Sequence, residues 1–64
     1  MSLTIGSKVY PTDARTMMPA VGCVWSVTRF YPNDDGQRCA VLVNILGDEC
    51  AVTVRTLHLA FKDA

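Results

Sequence analysis

Three cysteines, Cys23, Cys39 and Cys50, and a single histidine, His58, are the residues of this chain best suited to bind a metal or act as nucleophile and base. A zinc centre needs four converging ligands, usually including one closely spaced pair. Here the cysteines are separated by 15 and 10 residues, and no Cys-x-x-Cys occurs. Cys39 and Cys50 alternate with valines, so they read as buried thiols. His58 lacks a motif pairing it with Asp13 or a cysteine, and reads as a half-exposed histidine at a turn. The run Asn33-Asp34-Asp35-Gly36 has a calcium-loop flavour. A true calcium loop, however, spaces its acidic ligands two apart and adds a glutamate after the glycine. The adjacent acids and the following Gln37-Arg38 make this a turn. Phosphate-binding glycine loops, nucleophile elbows and His-Glu-x-x-His patterns are all missing. The expectation is a non-enzymatic protein with no catalytic residue, no metal and no cofactor.

The chain has 64 residues, half of them hydrophobic, with six basic and six acidic side chains. That is enough for one domain spanning residues 1–64. A chain of this size removes only ~60% of its surface from water on folding, so its core is marginal and self-association is expected. Balanced charge and a pI near 6.5 give no broad attraction for phosphate backbones or anionic lipids. The longest apolar stretch, residues 20–27, falls short of the ~20 residues of a membrane span. The first residues resemble no signal peptide, and the odd cysteine count suits a reducing compartment, so a cytoplasmic protein is expected. Small size and lack of motifs fit an accessory protein of a phage or mobile element.

Hydrophobic patterning then supplies the elements. Cys39, Val41, Val43 and Ile45 recur at period two and predict a strand over residues 38–45 with these four pointing inward. Gly47-Asp48 predicts a two-residue type II′ turn. A fourth strand over residues 50–55 follows, with Cys50, Val52 and Val54 inward. Upstream, residues 20–31 predict a long second strand. Its alternation is imperfect, since Val21, Cys23, Trp25 and Val27 share one face while Val24 and Phe30 occupy the other, which calls either for a bulge near Trp25 and Ser26, the reading Gly22 favours, or for cover on both faces. A short first strand around Lys8-Val9-Tyr10, a loop over residues 11–19, and one helical turn followed by an edge strand over residues 56–61 complete the pattern.

The order, five short strands with a bent second strand and a helical turn before the fifth, resembles the SH3-like small β-barrel. Gly6-Ser7-Lys8-Val9, Gly22-Cys23-Val24 leading to Val27, and Val52 to Val54 followed by Leu57 to Leu59 look like the pattern of KOW and Tudor-like domains. The order is also similar to type II dihydrofolate reductase, a homotetramer with an active site in its pore. That family carries Val-Gln-Ile-Tyr where this chain has Cys50-Ala51-Val52-Thr53-Val54, so its activity is not carried over.

Pairing the strands through the predicted turns places Trp25 opposite Leu42 and Arg29 opposite Arg38. The outward sheet face would then hold Trp25, Leu42 and Thr53 beside Val27, Ala40 and Arg55, with Arg29 and Arg38 at one end. An apolar row centred on tryptophan and rimmed by arginine marks a binding surface. The competing reading turns Trp25 into the barrel, or covers it with the loop over residues 11–19. Three functions follow. One is a self-associating module that also binds a protein partner through Trp25, Leu42 and Arg55. The second is a nucleic-acid-binding barrel using Arg29, Arg38 and Arg55 on phosphates, with Trp25 or Tyr31 stacking on bases. The third is an enzyme site formed in a homo-oligomer pore.

Overall fold

Five strands and one helix are placed by the computed structural model, which describes residues 3–12 and 24–64. Strand β1 is Lys8–Pro11, β2 Trp25–Pro32, β3 Arg38–Asn44 and β4 Glu49–Thr53. Helix α1, Val54–Ala60, leads directly into β5, Phe61–Asp63. All pairings are antiparallel, and the sheet order is β4-β3-β2-β1-β5. Cys23, Gly22 and most of the predicted loop over residues 11–19 lie outside the described residues.

The curvature follows from lengths. Strands β4 and β5 are the two edges of the sheet, ~19 Å apart if five strands at the usual spacing lay flat. The seven-residue helix joining them spans only about 10 Å. The sheet must therefore curl, giving the small all-β fold of five antiparallel strands, with a short helix before the last, expected from the order of elements. Leu57, fully buried, is the side chain that α1 inserts into the interior. Thr53 caps the helix by accepting from the Thr56 amide, 3.1 Å away. The helix is longer than the single turn expected, because Val54 and Arg55 belong to it rather than to the fourth strand.

Around Leu57 the core consists of Val9, Trp25, Val27, Ala40, Leu42 and Phe61, with Phe30, Cys50 and Val52 packed against it. The bulge in β2 exists, three residues beyond Trp25. Val27 pairs with Leu42 and Arg29 with Val41, which leaves Thr28 as the extra residue. The Thr28 hydroxyl donates to the Val41 carbonyl at 3.2 Å. One inserted residue lets Val27 and Phe30, three apart, both reach the interior.

The expected face of β3 is inverted. Leu42 pairs with Cys50 and Ala40 with Val52, three positions away from the expected pairing of Ile45 with Cys50. Since paired residues share a face, an odd shift turns one strand over relative to its neighbour. Cys50 and Val52 keep their inward placement, whereas Ala40 and Leu42 replace Cys39, Val41 and Val43 on the inner side. Cys39 and Val41 are still buried, but outside the core cluster, flanked by their register partners Tyr31, Arg29, Thr53 and Ala51. The cause of the shift is the turn. The hairpin closes over residues 44–48, with the Asn44 amide donating to the Asp48 carbonyl at 3.1 Å, in place of a two-residue loop at Gly47-Asp48.

Candidate interaction surface

Both hairpins are closed by the same device, Asn-x-x-Gly-x. In the first, the Asn33 side-chain oxygen accepts from the amides of Asp35 and Gln37, each at 2.9 Å, and the Gly36 amide donates to the Asn33 carbonyl at 3.0 Å. In the second, the Asn44 side-chain oxygen accepts from Leu46 at 3.0 Å and Asp48 at 2.9 Å, and Gly47 donates to the Asn44 carbonyl at 3.1 Å. Gly36 and Gly47 have φ of 80° and 86°, left-handed values that a side chain would strain. The two central positions of this turn make no structural demand for apolar residues. The first turn fills them with Asp34-Asp35. The second presents Ile45-Leu46, 92% and 72% exposed.

Ile45, together with Lys8, Val24, Ser26, Thr28, Val43 and Asn44, lines a shallow groove of about 400 Å³ on the sheet. Lys8 pairs with Ser26, Ser26 with Val43 and Val43 with Glu49. One cross-strand row therefore runs from a cation at β1 to an anion at β4. Val24 and Ile45 lie just beyond the pair formed by Trp25 and Asn44, at the same end of the sheet. The Cys50 thiol, next in the chain after Glu49, is held above the ordinary thiol range by burial and by the Glu49 charge.

The residues expected to form the site separate in the structure. Trp25 and Leu42, placed outside by the sequence reading, are both fully buried in the core. They do share a face with Val27 and Ala40 as expected, but it is the inner one, because the real pairing sets Trp25 against Asn44 and Val27 against Leu42. The indole N–H of Trp25 has no hydrogen-bond partner among the described residues. Arg55 stands on α1, exposed, away from the sheet row assigned to it. Arg29 and Arg38 are not neighbours either. Arg29 shares a face with Tyr31, whose ring centre is 5.3 Å from its guanidinium. Arg38 has the parity of Ala40 and Leu42, and its guanidinium stacks 4.3 Å from the centre of the Phe30 ring. The three arginines thus occupy three surfaces, and only the Arg29 and Tyr31 combination is brought together.

What the sequence reading missed is Ile45, Leu46 and Val24. Ile45 was assigned inward on the basis of the two-residue turn. The repeated Asn-x-x-Gly would have revealed the longer turn and put both apolar residues at its tip. Among the described residues, no group of His, Cys, Asp and Glu is arranged to hold a metal ion, and no helix is long and apolar enough to cross a membrane. Compared with known proteins, the chain matches no family model, no curated protein and no solved structure.

Proposed function

We propose that this chain is a small non-enzymatic interaction module of the cytoplasm that associates with itself and with a protein partner through the outer face of its sheet. The observation that carries this reading is the apolar pair Ile45-Leu46, exposed at 92% and 72% in a turn whose twin holds two aspartates. An exposed apolar turn tip, one residue of which lines a groove with polar neighbours, is the pattern of a binding surface. Trp25 plays no direct part in it, since the indole serves as the centre of the core. Association stabilises the folded state by mass action, so the thermal midpoint of the wild-type chain rises with protein concentration. In Ile45→Asp/Leu46→Asp the midpoint is independent of concentration. A wild-type midpoint that does not move with concentration overturns self-association.

A second reading, a nucleic-acid-binding barrel, is favoured by a different set of residues from those first considered. Lys8 and Tyr10 of β1 share a face, Tyr10 pairs with Lys62, and Arg29 lies over Tyr31 on the same side of the sheet. Cations interleaved with aromatic rings suit a single strand. Binding of an oligonucleotide would then fall as salt rises, with a log–log slope of roughly −0.7 per phosphate contacted. Absence of binding at low salt removes this reading.

A further inference from the structure

We infer that the occupant of the outer-face groove is a second copy of this chain, docked face to face about a two-fold axis that runs parallel to the strands between β2 and β3. The inference rests on the self-association proposed above and names its geometry. The cross-strand row reads Lys8, Ser26, Val43, Glu49, with opposite charges at its ends. At the usual strand spacing its two ends are ~14 Å apart along the sheet. Both charged residues are exposed.

Rotation about such an axis reverses the row, as any isologous contact must pair each position with its mirror position. Lys8 then faces the partner's Glu49, Ser26 faces the partner's Val43, and each contact occurs twice. The same rotation exchanges the β2 and β3 positions at the turn end of the sheet. Ile45, the most exposed apolar residue among those described, is thereby set on the partner's Val24, itself 44% exposed. One operation thus satisfies the charges at the ends of the row and covers the apolar residues beside it. Sliding the copies by one strand would oppose neither pair.

The size of the face sets the strength. With extents of 29 × 21 × 21 Å, the largest face projects about 600 Å², below the ~800 Å² per partner of standard stable interfaces. The pair is therefore weak, and its charge contacts make it sensitive to salt.

Sedimentation equilibrium across two decades of protein concentration, at low and moderate salt, tests the geometry. The wild type is expected to show a monomer–dimer equilibrium that weakens with salt. Lys8→Glu and Glu49→Lys each turn two attractions into two repulsions and should weaken the dimer roughly tenfold. The double variant Lys8→Glu/Glu49→Lys restores opposite charges across the interface and should recover the wild-type constant. Ile45→Asp, aimed at the apolar end, should abolish the dimer without lowering the thermal midpoint measured in dilute solution. A double variant that dimerises no better than the single variants overturns the pairing while leaving self-association standing. A wild type that remains monomeric throughout overturns both.

Discussion

The two hairpin turns of this protein share one backbone solution and diverge in what they carry. Asn33 and Asn44 each accept from two amides with the side-chain oxygen, each is followed three residues later by a left-handed glycine, and each donates its side-chain amide to the residue that closes the turn, Gln37 at 3.4 Å and Asp48 at 3.3 Å. The first turn stands at the far end of β2 and β3, and its Asn33 is half-buried. The second is rooted in the core, because Asn44 is buried and pairs with Trp25. Folding explains everything in the first turn. In the second it leaves Ile45 and Leu46 unaccounted for, and residues that the fold does not require are where binding should be sought.

The largest expected effect tests the rooting of the second turn. Trp25→Ala removes the biggest side chain of the core and should destabilise the chain by about 3–5 kcal/mol, a loss that most 64-residue domains do not survive. A folded Trp25→Ala protein with an unchanged denaturation midpoint would place the indole elsewhere. In the milder Trp25→Phe, hydrogen exchange should accelerate at the Leu46 and Asp48 amides more than at Asp35 and Gln37.

Next come the two asparagines themselves. Asn44→Ala strips the acceptor from two amides in a partly buried setting and should cost about 2 kcal/mol, whereas Asn33→Ala, whose residue is half-buried but whose hydrogen bonds are exposed so that water can substitute, should cost about 1. Urea denaturation of the two variants side by side measures the difference, and equal losses would dissolve the distinction between the turns. Exchanging the tips is the sharper test. Ile45→Asp/Leu46→Asp, which gives the second turn the residues of the first, should change monomer stability by no more than about 0.5 kcal/mol by the same measurement. A loss much larger than that would mean that the apolar pair serves the fold after all.

The smallest effect lies just past the second turn. The raised pKa of Cys50 leaves less thiolate at a given pH, so in a Cys23→Ser background its reaction with a disulfide reagent at mildly alkaline pH should be slower than that of a model thiol. Burial is the larger cause and Glu49 the smaller. Glu49→Gln should accordingly lower the pKa and speed the reaction only modestly. A rate unaffected by Glu49→Gln would remove the charge contribution.

Strand count, strand order and the terminal helical turn were legible because they depend on local quantities: alternation of valines, the turn-forming run at residues 32–36, and a chain too short for any larger sheet. That β2 must bend was legible from its broken alternation, although the bulge falls at Thr28 and not near Trp25 and Ser26. The site was not. Whether Ala40 and Leu42 or Cys39 and Val41 face the core has no answer in β3 alone, because both sets are apolar and alternate equally well. That choice passed to the register, and the register to the placement of one turn, where a shift of three positions in the pairing reverses every side chain of a strand relative to its neighbour. Sequence by itself determined that this chain makes a small curled antiparallel sheet with a surplus of apolar side chains. Tertiary structure decided which of them were enclosed, because the turn over residues 44–48 sets the register that turns Ala40 and Leu42 inward and leaves Ile45 and Leu46 at its exposed tip.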